Sequence, residues 1–360
     1  MIALLSNDHP RSRLLTILLL AIVLGLAFAP FAFPGAKALN VAAKILIFIT
    51  LVASYDLLLG YTGIVSFAHT MFFGIGAYGV AIACTRYGPT WSSLLYGTLV
   101  ALALSAVLSL VIGLFSLRVR AIFYSMITLA VAFSFQTLAS QMSELTGGED
   151  GLNFTVPEIL TPSYQPFEAQ VFGVSVDGRI LTYYLVFIVT VLLFLAMLRV
   201  VNSPFGRVLQ AIRENAFRAE AIGYNTVIFR TVANVLAALF ATLAGALLAL
   251  WLRYNGAETS LSFEIMINIL LIVVIGGMGT LYGAVCGTAI FILAQSYLED
   301  LMAHVAEASQ GTPLVAAFFS PDRWLLWLGI LFILSVYFLP TGIVGKLRTR
   351  SLARQIRAAR

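Results

Sequence analysis

Ten apolar stretches, separated by short polar segments, take up most of the sequence. A helix needs roughly 20 mainly apolar residues to cross a bilayer, and most of the stretches are close to that length. Apolar residues make up 61% of the chain and charged residues 10%, whereas soluble domains carry about 25% charged residues. The sequence therefore predicts a single all-α integral membrane domain over residues 1–360, a polytopic bundle of about ten transmembrane helices with glycine-broken segments. The predicted spans are residues 14–33, 41–59, 64–84, 92–116, 121–140, 181–198, 231–252, 264–276, 281–298 and 324–339.

Basic residues are concentrated in alternate segments between these spans. With the N-terminus in the cytoplasm, most of the 21 basic residues fall in cytoplasmic segments, including the loop 199–230 and the tail 340–360. The acidic residues cluster in the segments 141–180 and 299–323, which would then lie outside. Because Lys and Arg near span ends favour the cytoplasmic side, we predict that both termini are cytoplasmic.

The first span has an alternative interpretation as a signal peptide. Arg11 and Arg13 precede it, and the tripeptide at 36–38 resembles a cleavage site. The apolar run is long for the core of a signal peptide, which favours a helix that is retained.

No motif for a hydrolase or an ATPase is present, since the sequence lacks HExxH, GxxxxGK[ST] and GxSxG. Cys84 and Cys286 lie in apolar surroundings and are expected to be core residues rather than disulfide or metal ligands. We therefore expect no enzyme activity and no bound cofactor or metal ion in this chain. Its surroundings are expected to be the lipid bilayer and other proteins, with no nucleic acid.

The segment 202–224 is the longest polar, basic run between apolar stretches, and its pattern is that of an amphipathic helix. Ser203 is suited to cap the N-terminus, Pro204 to occupy the first helical position, and Gly223 to end the helix in a left-handed conformation. Two interpretations remain open. The helix rests on the lipid interface, or it is a docking helix for a soluble partner. The residues of its apolar side are Phe205, Val208, Leu209, Ile212, Ala216, Ala219 and Ile222.

Two glycine-rich stretches interrupt the helical pattern at membrane depth. Irregular backbone at that depth must line a cavity or be buried in protein, and transporters use such breaks to direct helix ends towards solutes. The alternative is close helix packing, which small residues also permit. The glycines are Gly60, Gly63, Gly74 and Gly76 in the first stretch and Gly276, Gly277 and Gly279 in the second.

Several polar side chains fall within the predicted spans or beside the glycine breaks. Such groups are energetically expensive in a membrane and often mark a solute pathway, although a neighbouring helix can also satisfy them. The candidates for lining a pathway are Asp56, Ser66, His69, Thr70, Glu264 and Asn268.

Four stretches between positions 56 and 283 carry a family resemblance. They are Asp56–Gly79, Leu145–Leu152, Gly206–Asn225 and Leu261–Gly283. Together and in this order they resemble the permease subunits of branched-chain amino acid ABC importers, the LivH/LivM type, and the M type more closely. Asp56 departs from the usual pattern, in which an uncharged residue is common, and Ala68 replaces a usual glycine.

The resemblance implies that the segment 199–230 holds a coupling helix, which seats in an ATPase subunit. It further implies pairing with an H-type permease subunit, two ATP-binding cassette subunits that hold ATP-Mg, and a periplasmic solute-binding protein, all at a bacterial inner membrane. The implied substrates are branched-chain or hydrophobic amino acids, or related small solutes such as urea, amides or carboxylates. The alternative is a stand-alone secondary transporter or channel, in which Asp56 and Glu264 would serve as ion-coupling acids. The implied coupling residues are Gly206, Arg207, Arg213, Glu214, Asn215, Arg218 and Gly223.

Overall fold

The computed structural model describes most of the chain. Parts of four regions discussed above lie outside the described residues. They are the N-terminal residues 1–12, the centre of the loop 141–180, about half of the segment 299–323 and most of the tail 340–360. The described residues are 13–33, 35–116, 121–165, 175–308, 320, 323–339 and 341–347.

Helices dominate the described residues, and two short strands pair with each other. The strands β1 (Leu152–Asn153) and β2 (Tyr254–Asn255) are antiparallel. The helices are α1 (Arg13–Ala32), α2 (Ala36–Thr62), α3 (His69–Tyr87), α4 (Trp91–Ser116), α5 (Ala121–Gln141), α6 (Ser143–Thr146), α7 (Gly178–Val201), α8 (Pro204–Glu214), α9 (Ala216–Ala221), α10 (Thr226–Leu252), α11 (Ala257–Ser260), α12 (Phe263–Gly276), α13 (Leu281–Ala308) and α14 (Trp324–Phe338).

Nine helical segments of the described residues are long and apolar enough to cross a membrane. Each of them corresponds to one predicted span, and the remaining predicted span, 64–84, corresponds to α3. The helix α3 has 19 residues, but His69, Arg86 and its glycines make it less apolar. Most of α3 is buried, so protein surrounds it rather than lipid. The all-α polytopic fold is therefore confirmed, with one inner helix that does not resemble a lipid-exposed span.

The helix α2 is the centre of the bundle. It packs against α7, α10, α12 and α13, and most of its residues are buried. The helices α3 and α10 also lie very close together. A Cβ added at Gly76 would lie 1.8 Å from the carbonyl oxygen of Thr242, and one at Gly245 would lie 1.8 Å from that of Phe73. At Gly76 the glycine therefore serves helix packing.

The first glycine break is a real interruption, and it begins six residues before α3. The helix α2 ends at Gly63, whose φ of 74° is left-handed and whose N–H bonds to the carbonyls of Leu58 and Leu59. The following residues are not helical, and α5 satisfies part of their backbone. Ser125 donates to the carbonyl of Val65 over 2.8 Å, and the N–H of Phe67 donates to Thr128 over 3.1 Å. The irregular backbone is thus buried in protein.

The second glycine break joins α12 to α13. The N–H of Gly277 bonds to the carbonyl of Val273 and closes α12, and Gly277 has a φ of 115°. The two helices then pack closely. A Cβ at Gly276 would lie 2.1 Å from the carbonyl oxygen of Gly283, so Gly276 also serves packing.

The described part of the loop 141–180 is packed onto the bundle. Phe154, Val156 and Leu160 are buried, and β1 pairs with β2 at the end of α10. The described part of this loop is therefore more than a solvated connection, because three of its apolar side chains pack against the helices.

The segment 202–224 forms two short helices rather than one. Ser203 caps α8, with its hydroxyl accepting from the N–H of Gly206 over 3.3 Å. Asn215, with φ −159° and ψ 98°, then breaks the helix, and its Oδ1 accepts from the N–H of Arg218 over 2.9 Å. An asparagine side chain competes for backbone hydrogen bonds in this way. The predicted left-handed residue Gly223 is confirmed, with a φ of 96°.

Candidate functional site

The two glycine breaks meet at Asp56. The Oδ1 atom of this buried carboxylate accepts a hydrogen bond of 2.8 Å from the N–H of Gly279. A Cβ at Gly60 would lie 2.0 Å from the same Oδ1 and 2.4 Å from the nitrogen of Gly279. Only a glycine at position 60 therefore lets the end of α2 approach the link between α12 and α13 this closely.

Arg213 brings the segment 202–224 to the same place. Its Nη1 donates a hydrogen bond to the carbonyl oxygen of Gly60. A Cβ at Gly63 would lie 3.3 Å from Cγ of Arg213, and one at Gly279 would lie 2.7 Å from its Nη1. The last carbonyls of a helix lack helical partners and attract cations, so a guanidinium is well suited to this end of α2. We refer to Asp56, Gly60, Arg213 and Gly279 as the junction cluster.

The apolar side of α8 fixes the position of Arg213. Leu209 is 0% exposed and Ile212 is 1% exposed, so both belong to the core of the chain. The sequence left open whether this segment rests on the lipid interface or docks a soluble partner, and these two apolar side chains of α8 are buried within the same chain. The Nη1 of Arg213 donates to Gly60 within the chain, and the expected contact of Arg213 with a partner stays a prediction.

The remaining coupling candidates are distributed around this segment. Gly206 is buried where α7 turns into α8, because a Cβ there would lie 2.0 Å from the carbonyl oxygen of Val201. Arg207, Glu214 and Arg218 are exposed. They are available to a partner, and their part in docking stays a prediction.

Two exposed apolar side chains on this segment were not predicted. Phe217 is 82% exposed on α9, and Ile222, which was assigned to the apolar side, is 68% exposed. The break at Asn215 turns α9 relative to α8, so a single helical pattern does not describe both. An exposed phenylalanine in a run of charges was a signal in the sequence that the helical interpretation left out.

The polar residues after the first glycine break are buried within the chain. Ser54 donates to the carbonyl of Leu51 over 2.7 Å, so its hydroxyl oxygen accepts from Nε2 of His69, at 2.9 Å. The His69 ring also lies against Tyr55, with centroids 5.1 Å apart. His69 therefore has a structural partner, as the alternative interpretation anticipated.

Ser66 and Thr70 are each only 2% exposed. The hydroxyl of Ser66 accepts a hydrogen bond of 3.4 Å from the N–H of Ala68, which supports the bend before α3. Their assignment to a pathway stays a prediction.

Glu264 and Asn268 lie at the opposite end of α12 from the junction cluster. Ser262 caps α12 by accepting from the N–H of Glu264 over 3.1 Å. Glu264 is exposed and Asn268 is half-buried. Because α12 has 14 residues, about 20 Å separate its two ends. The structure therefore divides the predicted pathway residues into two groups.

Lys44 and Gln295 are polar residues near Glu264 that were not among the pathway candidates. The Nζ of Lys44, on α2, donates to the Gln295 side-chain oxygen on α13 over 3.3 Å. Lys44 also lies over the ring of Phe48, at 5.6 Å from its centroid. A lysine about one helical turn into the predicted span 41–59 was a signal that sequence reasoning could have used.

These features define a polytopic all-α membrane protein in which an amphipathic segment between two spans is joined to two glycine-broken helices. The chain belongs to the family described as the permease component of branched-chain amino acid transport systems, whose model matches residues 37–336.

Curated relatives agree with this family. The chain is 27% identical over 278 residues to the high-affinity branched-chain amino acid transport system permease protein LivM of Salmonella typhimurium, and 26% identical over 278 residues to that of Escherichia coli. Each match covers 72% of this chain and 63% of the relative. It is also 25% identical over 303 residues to the permease protein BraD of Pseudomonas aeruginosa, covering 81% of this chain and 89% of the relative. No solved structure matches the chain.

Proposed function

We propose that this chain is the membrane-spanning permease subunit of an ATP-driven importer for small solutes. The observation that carries the proposal is Arg213, which joins the polar segment 202–224 to both glycine breaks. A movement imposed on that segment from outside the membrane reaches the ends of α2 and α12 through this contact. Packed elements of this kind transmit force between two discrete arrangements.

The segment also has a surface that a soluble partner can bind. Phe217 and Ile222 are exposed, and the same segment carries the exposed charges of Arg207, Glu214 and Arg218. An apolar anchor surrounded by charges is typical of a protein interface. We assign this surface to one of two ATPase subunits, which hold ATP-Mg, and place it in the cytoplasm because of the basic residues around it.

The other proposed partners follow from the family. A second permease subunit of the H type would complete the pathway, and a periplasmic binding protein would deliver the solute at the loop 141–180. The relatives are named for branched-chain amino acid transport, and we propose a small amino acid or related solute as the substrate. In the proposed cycle, ATP binding closes the ATPase dimer, and the permease pair moves from one access state to the other.

Reconstitution tests this proposal directly. The chain is purified with the neighbouring permease, ATPase and binding-protein gene products, and uptake of leucine, urea and acetamide into proteoliposomes is measured. The expected result is uptake of at least one solute that requires ATP and the binding protein. Matched liposomes that hold a non-hydrolysable ATP analogue are the control.

A stand-alone secondary transporter is the second candidate. The specific observation in its favour is Asp56, a buried carboxylate at the point where the two breaks meet, because ion-coupled transporters place acids at membrane depth. Uptake by the chain alone, driven by an ion gradient without ATP, would establish this candidate instead.

A further inference from the structure

An apolar cavity opens between α4 and α5 on the surface of the bundle. It has a volume of about 380 Å³, which lies in the range of ligand pockets. The helix α3 forms its floor, where a Cβ added at Gly79 would lie 2.7 Å from the carbonyl oxygen of Gly97 on α4. Val100 and Leu104 of α4 and Leu138 of α5 line its walls and are exposed. Because these apolar side chains lie on membrane-spanning segments, the cavity opens towards lipid rather than water.

The length of the cavity matches one leaflet of a bilayer. Its lining residues on α3 extend from Ile75 to Arg86, which corresponds to about 16 Å along a helix axis. The hydrocarbon core of a bilayer is about 30 Å thick, so each leaflet takes up about half of that thickness. The cavity therefore has the length of a lipid acyl chain in one leaflet.

Arg86 supplies a positive charge at one end of the cavity. It is exposed near the end of α3 and is the only charged residue among those that line the cavity. Its guanidinium forms no ion pair within the described part of the chain. Glu144 lies between the lining residues Met142 and Leu145 but does not itself line the cavity. An apolar cavity that ends in one cation is complementary to an amphiphile with an anionic head, and arginine pairs well with phosphate.

Aromatic and hydroxyl side chains surround the end of the cavity that holds Arg86. Tyr87 and Tyr96 line both the cavity and a second depression beside it, which Ser92 and Ser93 complete. The two tyrosine rings lie edge to face, with their centroids 5.6 Å apart. Tyrosine is enriched at the level of the lipid headgroups, so this end of the cavity is expected to lie at that level.

We infer that this cavity binds an anionic phospholipid of the surrounding bilayer, with one acyl chain between α4 and α5 and the phosphate at the guanidinium of Arg86. The acyl chain fills a space that side chains of the described residues leave open, and the phosphate gives the guanidinium a partner. The inference is independent of the proposed function, because it rests on the chemistry of the cavity and on the membrane-spanning fold.

Lipid retention tests the headgroup first. The full chain is purified in a mild detergent and incubated with phosphatidylglycerol or with phosphatidylcholine of the same acyl chains, and native mass spectrometry counts the lipids that remain bound. One phosphatidylglycerol molecule per chain should be retained at concentrations at which phosphatidylcholine is lost. Equal retention of the two lipids would overturn the choice of an anionic headgroup, and retention of neither would overturn the site.

Variants of Arg86 test the charge. Arg86→Gln should lower the affinity for phosphatidylglycerol about tenfold, as expected for the loss of a charge-assisted hydrogen bond, whereas Arg86→Lys should retain most of it. Lys37→Gln is the matched control, because it removes another exposed cation at the start of α2, which is antiparallel to α3. Equal affinities of Arg86→Gln and Lys37→Gln would contradict the role of Arg86.

A variant that fills the cavity tests the acyl chain. Val100→Trp adds bulk to a wall of the cavity and should abolish the retention of phosphatidylglycerol. Val107→Trp is the matched control, because Val107 is exposed on the same helix but does not line the cavity, and it should retain the lipid. Equal retention by the two variants would show that the acyl chain lies elsewhere.

The assembled complex distinguishes a lipid from a protein partner. The measurement is repeated on the chain copurified with the neighbouring permease gene product, and the lipid should remain bound. Loss of the lipid on assembly would overturn the inference and assign the cavity to the interface between the two permease subunits.

Discussion

At Gly60, three elements of the fold approach each other closely, and this approach requires that the residue has no side chain. Its carbonyl accepts from Arg213, and its missing Cβ leaves room for the Asp56 carboxylate and the N–H of Gly279. Packing and hydrogen bonding are therefore coupled here. A change of one atom at this residue acts on α2, on α8 and on the link after α12.

Gly60→Ala should destabilise the protein. The added methyl would lie 2.0 Å from Oδ1 of Asp56 and 2.4 Å from the nitrogen of Gly279, so the backbone must move, at a cost of about 1–3 kcal/mol. Thermal unfolding of the purified chain in detergent measures the effect. Gly25→Ala on α1 is the control, because a Cβ there meets nothing within 4 Å. A melting temperature of Gly60→Ala equal to that of Gly25→Ala would disprove the close contact.

Arg213→Ala should separate ATP hydrolysis from transport. The variant loses the hydrogen bond to Gly60, and a hydrogen bond from a charged group contributes about 1.5–3 kcal/mol. The proposed function makes this contact the link between the ATPase and the glycine breaks, so fewer solute molecules should enter per ATP hydrolysed. The ratio of uptake to hydrolysis in proteoliposomes is the measurement.

Gln210→Ala is the matched control for this experiment, because Gln210 lies on the same helix, is exposed and is not among the residues assigned to coupling. Its ratio of uptake to hydrolysis should remain close to wild type. An unchanged ratio in Arg213→Ala as well would show that the contact with Gly60 does not transmit the movement.

At the scale of elements, α8 and α9 divide the segment 202–224 into an inward and an outward part. The helix α8 buries Leu209 and Ile212 in the bundle, while α9 carries Phe217 with 82% of its surface exposed. Asn215 ends the first helix and caps the second. The pair therefore has one rigid attachment to the permease and one apolar side chain presented outward.

Phe217→Ala should weaken the association of the complex with its ATPase subunit. A phenylalanine at the centre of an interface commonly contributes more than 1 kcal/mol of binding free energy, and truncation removes most of its contact area. Copurification of the ATPase with the tagged permease measures the loss. Phe28→Ala is a suitable control, because Phe28 is 57% exposed on the distant helix α1. Equal copurification of both variants would show that Phe217 does not contact the ATPase.

The helices were predictable, and the contacts between them were not. The apolar stretches identified each span because a helix in lipid must satisfy its own backbone. Gly63 and Gly223 were predictable as helix ends because few other residues adopt a left-handed conformation. The contact of Arg213 with Gly60 joins residues 153 positions apart, and no local pattern encodes such a distance. Two opposing signals at Asn215, helical periodicity and side-chain capping, made the break there difficult to place.

At the scale of the whole molecule, the two groups of polar residues lie at opposite ends of the bundle. The junction cluster lies where α2 and α12 end, and Lys44, Gln295 and Glu264 lie towards the opposite ends of these helices. The proposed importer needs such a separation, because a solute site must be coupled to a distant ATPase. The direction of transport depends on which of these two ends of the bundle faces the cytoplasm.

Thiol labelling in intact cells determines that direction. The basic residues on the segment 199–230 predict that it faces the cytoplasm, and the acidic loop 141–180 should face the periplasm. Cysteines replace Asp150 and Arg218, both exposed, one at a time in a chain without Cys84 and Cys286. An impermeant thiol reagent should label the cysteine at 150 in intact cells and the cysteine at 218 only after lysis. The cysteine-free chain controls for background. The reverse pattern would invert the proposed transport direction. It would also place the exposed Phe217 outside the cell, where no cytoplasmic ATPase could bind it. Labelling of both positions in intact cells would contradict the span count.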